Sequence, residues 1–278
     1  MPPPPNLHGT NVLSIAILNI NGITALTRVG MLTEFIRSHD FDIIFLQEVT
    51  NPDVFRFRGY ETYMNIGTSM RGTAIVAKCQ HQLTNVSTLP TGRAIAATLR
   101  GIRMINVYAP SGTARRTERE YFYNVELTHL LQGASTHILL AGDFNCVLHP
   151  IDSTGHYHTS RALTEIKRGM ALTDAWTQNP VKPTYTHYTP HGASRLDRFY
   201  VTGNILTQKL GIETLPTAFT DHHGVVLRIT IRSFEVPRDW RRWKMNPHMM
   251  EDEDITLRIR HEYERWKKYR HYYPDVTS

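Results

Sequence analysis

Leu139-Leu140-Ala141-Gly142-Asp143-Phe144-Asn145 is the stretch on which the reading of this chain turns. Residues 138–141 form a short apolar run closed by Gly142, the pattern of a buried strand. The strand's end then presents a carboxylate and a carboxamide. Side chains on an extended backbone alternate faces, so Asp143 and Asn145 are expected on one side and Phe144 in the core. An Asx-type turn, in which Asp and Asn cap backbone groups, is the plain alternative for the same residues.

Upstream, residues 12–20 make a β-rich run that stops at Asn19-Ile20-Asn21-Gly22, with Asn19 and Asn21 expected on one face. Leu26, Val29, Leu32, Phe35 and Ile36 recur at helical spacing across residues 26–37. Residues 41–46 are a continuous apolar strand ending in Gln47-Glu48. Strand, helix, strand marks a layered α/β domain. Short strands follow at 60–64, 72–77, 93–99 and 102–107, the last pair turning at Gly101 and ending at Tyr108-Ala109-Pro110. A helix over 118–131 leads into the strand before Asp143. Downstream come a histidine-containing loop (149–160), a helix over 161–168, and a continuation over 170–176 to a turn at Pro180. Strands at 184–188 and 195–201 flank the hairpin tip Thr189-Pro190-His191-Gly192-Ala193. Residues 224–231, preceded by Thr220-Asp221-His222-His223, form the last core strand. No internal repeat is present.

With 278 residues, 41% of them hydrophobic, the chain can bury one core of roughly 230 residues and carry an appendage. Three segments are expected: a disordered proline-rich lead over 1–11, a globular domain over 12–233, and a tail over 234–278. The tail opens basic and tryptophan-rich and continues as a charged helix over 254–273. The formal charge of +6 favours a polyanionic partner, nucleic acid before acidic lipid. The two cysteines, Cys79 and Cys146, lie far apart and suggest a reducing, intracellular setting without a disulfide framework. No stretch approaches the roughly 18 apolar residues of a membrane helix, so a soluble protein with no membrane partner is expected.

Asn19, Glu48, Tyr108, Asp143 with Asn145, and Asp221-His222 thus stand at the ends of apolar strands, and Asp197 lies within Ser194-Arg195-Leu196-Asp197-Arg198-Phe199. Each alone has a plain reading: a solvated strand end, an interface aromatic, a turn histidine. Together, carboxylates, carboxamides and one histidine make a hard-oxygen set suited to Mg²⁺ rather than zinc.

Asn19-Ile20-Asn21-Gly22, Gln47-Glu48, Asn106-Val107-Tyr108-Ala109-Pro110, Gly142-Asp143-Phe144-Asn145, Ser194-Arg195-Leu196-Asp197 and Asp221-His222 resemble, in this order, the motifs of the exonuclease III/DNase I-like superfamily. They span about residues 14–231. Within it, the chain most resembles the endonuclease domain of non-LTR retrotransposons, and Trp243-Lys244-Met245-Asn246-Pro247 resembles the segment joining that domain to reverse transcriptase. The resemblance implies an α/β (α+β) fold in four layers, a two-sheet β-sandwich flanked by helices. It implies Mg²⁺-dependent nicking, with Mn²⁺ as a substitute, of one strand of a DNA duplex in the nucleus. The 3′-hydroxyl left behind would prime a downstream reverse transcriptase of the same polyprotein.

Carried over residue by residue, the resemblance gives Glu48 and Asn19 to the metal, with Asp221 beside the metal or the leaving group. Asp143 orients or deprotonates the attacking water, Asn145 holds the scissile phosphate and Tyr108 contacts it. His222, aligned by Asp197, donates to a phosphoryl oxygen. Asn21 stands where the superfamily often has Asp, a metal-shell or structural position. Thr189, Pro190, His191 and Gly192 would enter the minor groove and sense its shape, with Thr186 and Ser194 flanking the phosphates beside the nick.

Rival readings are an apurinic/apyrimidinic repair endonuclease, a phosphatase or sphingomyelinase of the same fold, and a non-catalytic DNA-binding relic. A repair enzyme needs an aromatic-lined pocket for a flipped-out sugar, but Ser194 stands where an aromatic commonly precedes Arg-Leu-Asp. Weaker signals are a zinc cluster from His149, Asp152, His156 and His158, against a polar loop, and DNA-backbone contact by Arg115, Arg116 and Arg119, against a solvated helix start. Arg238, Arg241, Arg242 and Lys244, interleaved with Trp240 and Trp243, suit single-strand or element RNA contact. Cys146 reads as a small core residue.

Overall fold

Strands buried on both faces read as unbroken apolar runs, and residues 15–18 are such a run. In the computed structural model Leu13, Ile15 and Ile17 pack inward against a second sheet, while Ala16 and Leu18 pack outward beneath a helix. The structure describes residues 11–51, 55–68, 71–131, 137–155, 157–177 and 184–231, with scattered helical positions between 256 and 267. The chain divides into two compact units, Met1–Arg232 and Ser233–Ser278.

The first unit holds two six-stranded mixed sheets. One runs β13 (Lys209–Leu215), β14 (Gly224–Ile231), β1 (Asn11–Asn19), β2 (Ile43–Val49), β4 (Gly72–Lys78), β3 (Tyr60–Asn65). The other runs β5 (Thr84–Thr88), β6 (Ala94–Leu99), β7 (Ile102–Tyr108), β8 (Ile138–Asp143), β12 (Asp197–Val201), β9 (Thr173–Asp174). A separate hairpin pairs β10 (His187–Thr189) with β11 (Gly192–Ser194).

The central layer is apolar and includes Ile15, Phe45, Ile75, Met104, Leu139, Phe199 and Leu227. Helix α1 (Leu26–His39) covers the first sheet through Leu32 and Ile36. Helix α2 (Arg116–Tyr121), the π-helical turn Phe122–Leu127, α3 (Thr128–Leu131) and α4 (Arg161–Gly169) cover the second. This is the four-layer sandwich the sequence implies. Each fully buried Leu, Ile or Phe contributes roughly 1.5–3 kcal/mol to holding it together.

Parallel pairs β1–β2 and β7–β8 run side by side in their own sheets, so Asn19, Gln47, Tyr108 and Asp143 end up at one edge of the sandwich. Polar groups lock the two sheets just beneath that edge. Gln47 Nε2 donates to Asn106 Oδ1 at 2.7 Å, and Asn106 Nδ2 donates to Leu46 O at 2.9 Å and Ala74 O at 2.8 Å. Gly142 is fixed by close approach: a Cβ there would lie 2.1 Å from Val107 O, and its φ is +133°.

Several boundaries differ from the sequence expectation. β2 runs past residue 46 to Val49, and Glu48 sits inside it at a bulge. Residues 170–176 do not continue the helix; Ala171 is left-handed and β9 follows. The strands expected at 184–188 and 195–201 are β10, β11 and β12, so the hairpin turn narrows to Pro190-His191. β5, β13 and the short helix α5 (Gly203–Leu206) add to the expected elements. The 1–11 lead apart from Asn11, the tail's Trp240 and Trp243, and the arginines beside them lie outside the described residues, as does His156.

Candidate active site

Asp143 ends β8, and Asn145 follows in the left-handed region that Asn tolerates, at φ 47°. Both readings of this stretch hold at once. The Asx turn forms through Asn145 N–H to Asp143 Oδ1 at 2.9 Å, and the two side chains still converge, Asn145 Nδ2 to Asp143 Oδ2 at 3.1 Å. Phe144 turns into the core.

Asn19, at the end of β1, bridges two carboxylates. Its Nδ2 donates to Glu48 Oε1 at 3.1 Å and to Asp143 Oδ2 at 2.9 Å. The ligand role expected of Asn19 falls to Oδ1, which here accepts from Asn21 N at 2.9 Å and retains a lone pair. Glu48 itself is left-handed, at φ 59°, the strain of a bulge that turns its carboxylate into the cleft.

His222 Nδ1 and Asp197 Oδ2 are 2.9 Å apart and buried. Burial opposes charge on the imidazole, yet Asp197, then Asp143 and Asp221, raise it to about 9. Burial first, then the charge of Asp197, pushes Asp143 up to about 7 against the pull of His222. Asp221 is held below the usual carboxylate range; burial is overcome by His222 and His187. Asn21 Nδ2 donates to Asp221 Oδ1 at 3.1 Å. Burial, then Glu48 and Asp143, raises the Tyr108 hydroxyl well above its ordinary value, with Glu48 and Ser111 as its hydrogen-bond partners.

These groups meet in an open cleft of about 350 Å³. Asn21, Glu48, Asp143, Asn145, Ser194, Asp221 and His222 line it, and Asn19, Tyr108 and Asp197 stand behind. Asp143, Asp197 and His222 bring ligand atoms within 4.8 Å of one another. Asp197 Oδ2 is already engaged by His222, so we read these three as an acid–base group. Glu48 and Asp221 supply oxygen donors on the cleft, with Asn19 Oδ1 behind them, a set that fits a hard divalent cation.

Some expected site residues do other work. Thr186 is fully buried, and its hydroxyl accepts from Leu196 N at 3.0 Å and Asp197 N at 3.1 Å. It positions Asp197 and is shut off from any phosphate. Asn145 spends its amide protons on Asp143 and on Ala109 O at 2.9 Å, which makes it a brace for Asp143. Ser194 reaches the cleft but its hydroxyl pairs with Ser153 at 3.0 Å. Thr189, Pro190, His191 and Gly192 form the hairpin end, apart from the cleft lining and pinned at its base by Thr154. Arg115 lines a second depression with Arg93 and Glu118. Arg119 is buried and holds Pro110 O and Gly112 O. Asp152 pairs with Arg195 and Arg198, which removes it from any zinc cluster.

The sequence reading missed His187 and Arg71. The His187 ring packs on His222 with centroids 4.6 Å apart and places Nε2 3.6 Å from Asp221 Oδ2. Its adjacency to Thr186, opposite a second histidine pair, was the available signal. Arg71 pairs with Glu48. It is the residue before a strand that must pair with the Glu48 strand, a signal visible once that pairing is drawn.

Residues 16–222 match the Endonuclease/Exonuclease/phosphatase family, a range that includes every cleft residue named above from Asn19 to His222. A "Transposon TX1 uncharacterized 149 kDa protein" of Xenopus laevis is 24% identical over 277 residues, covering 92% of this chain and 21% of that protein. The chain therefore spans about a fifth of that relative's length. Among solved structures, an AP endonuclease from Archaeoglobus fulgidus superposes with a TM-score of 0.64 at 18% identity. A 3′-5′ exonuclease from Neisseria meningitidis does so with 0.67 at 21%. Each match covers 79% of this chain and 100% of the other, and at these identities both speak to the fold. With the family match spanning most of the chain and the cleft built from its residues, the chain belongs to the endonuclease/exonuclease/phosphatase family of metal-dependent phosphodiesterases.

Proposed function

We propose that this chain is the endonuclease of a non-LTR retrotransposon. It nicks one strand of duplex DNA in a Mg²⁺-dependent reaction and leaves a 3′-hydroxyl that primes reverse transcription. The observation that carries the reading is the convergence of Glu48, Asp143 and the Asp197-held His222 on one open cleft. The likeness to a transposon protein across 92% of the chain supports the biological setting. In that setting the domain works in the nucleus, joined to a downstream reverse transcriptase, with the 234–278 tail available to element RNA.

Phosphodiester cleavage needs an acceptor for the water's proton and positive charge on the phosphoryl oxygens. Asp143, raised toward neutrality by burial, is the acceptor. Asn145 and Asn19 fix its two oxygens, so its direction is set before substrate arrives. His222 uses Nδ1 on Asp197 and presents Nε2, and its imidazolium persists at neutral pH. Tyr108 steadies Glu48 from behind. A divalent cation on Glu48, Asn19 and Asp221 would neutralise phosphate charge and stabilise the leaving oxygen.

The repair reading has less support. Ser194, at the position beside Arg195 that would wall a pocket for a flipped-out sugar, spends its hydroxyl on Ser153.

Supercoiled plasmid incubated with the protein and Mg²⁺ is expected to become open-circular, and EDTA is expected to stop it. Cleavage confined to a duplex with one abasic site would instead establish the repair enzyme. Replacing residues 189–193 by a Gly-Ser pair of turns is expected to redistribute nick positions on a long duplex with little change in total nicking. An unchanged nick map would remove the hairpin from target selection.

A further inference from the structure

Arg71 immediately precedes β4, and its guanidinium donates to Glu48 Oε2 while Asn19 takes Oε1. The guanidinium lies over Gly22: a methyl built on residue 22 would lie 3.8 Å from the guanidinium carbon, in ordinary van der Waals contact. The Arg71 side chain is 49% exposed, whereas Glu48's is 11% exposed. An ion pair with so wet a partner adds little to stability, so stability does not account for an arginine here. The guanidinium stands beside Glu48, a carboxylate on the cleft that fits a divalent cation. Two cations cannot share that carboxylate without mutual repulsion. Guanidinium is planar, weakly hydrated and matched to phosphate oxygens.

We propose that Arg71 is a substrate-phosphate clamp that the metal releases. In the metal-free protein it neutralises Glu48. Once a cation takes Glu48, the guanidinium turns to a phosphate next to the scissile one. Arg71 thereby makes metal loading and DNA engagement depend on each other, and the free carboxylate is never left bare. This rests on the endonuclease reading above.

The test uses readouts other than turnover, in a His222→Ala parent that keeps the duplex intact. Mg²⁺ is titrated calorimetrically into DNA-free protein, and a labelled duplex of about 20 base pairs is titrated at several salt concentrations in Mg²⁺. Arg71→Gln is expected to bind Mg²⁺ about three- to tenfold tighter, because a competing cation is gone. It is expected to bind duplex about tenfold more weakly, whatever the sequence, with the salt slope reduced by about one. Changes of opposite sign are the signature. If both affinities fall together, Arg71 merely holds the site in shape and the proposal is overturned. Unchanged duplex affinity and salt slope overturn it as well. If Arg71→Gln does not fold, Arg71→Met is measured by the same criteria. A parent that binds no duplex at all defeats the endonuclease reading itself, which separates the two failures.

Discussion

Nicking by Asp197→Asn is expected to fall about 10²–10⁴-fold, the usual weight of a positioned proton-transfer or charge-donating group. The carboxylate that holds His222 Nδ1 at 2.9 Å becomes an amide, and the charge that raises the imidazole is lost. The amide is nearly isosteric, and Thr186 still receives the backbone N–H of residue 197. The melting midpoint should therefore move little compared with the rate. His222→Ala is expected to lose as much activity, and its effect should not multiply with that of Asp197→Asn. Groups that work as one unit are non-additive, so the double variant should be no slower than the slower single variant. Plasmid nicking rates for the three proteins decide this. Multiplicative losses would mean that Asp197 acts on something other than His222. A fully active Asp197→Asn would remove the pair from the mechanism.

The site was legible where chemistry and fold use the same residues. Asn19 and Asp143 end strands, Glu48 follows an apolar run and His222 stands just before one, so each is visible as a polar residue at the border of an apolar run. Parallel pairing of β1 with β2 and of β7 with β8, and antiparallel pairing of β14 with β1, then bring those positions to one edge. What stayed hidden was set by partners distant in sequence. Thr186 is expected beside a phosphate because nothing local says that its hydroxyl faces the backbone of residues 196 and 197. Arg71 and His187 join the site only through pairings that bring β4 to β2 and residue 187 to residue 222.

The missed elements have a similar cause. β5 and β13 are edge strands, mixed in polarity and broken by register shifts, so period-two alternation fails in both. The π-helical turn at Phe122–Leu127 shifts a helix whose apolar spacing still reads as α-helical. Asp143 with Asn145 shows the limit of alternation itself. They converge because Asn145 goes left-handed, while the extended backbone assumed from sequence stops at Asp143.

Arg195→Leu is expected to destabilise the sandwich by about 3–5 kcal/mol, the cost of breaking a buried ion pair from one side. Arg195 and Arg198 are both buried. Arg195 Nε meets Asp152 Oδ1 at 2.7 Å, its other nitrogen meets Asp174 Oδ2 at 2.7 Å, and Arg198 reaches Asp152 Oδ2 at 3.2 Å. The group ties the 150–155 loop and β9 to the strand that begins at Asp197. Thermal melting should therefore fall by about 10 °C or more.

The pH dependence separates a lost charge pair from lost packing. Burial alone would raise the Asp174 carboxyl, but Arg195 brings it below its ordinary value. A depressed carboxyl gives stability that is present above the unfolded value, about 3.9, and is lost as pH falls through the folded value. Without Arg195 the main opposing charge is gone and burial dominates, so Asp174 takes up its proton at a higher pH. The variant's deficit should then shrink between pH 7 and pH 4, because a protonated carboxyl no longer needs a cation beside it. Urea unfolding of both proteins across that range measures the difference directly. A deficit that stays constant with pH would assign the loss to the guanidinium's packing and not to its charge.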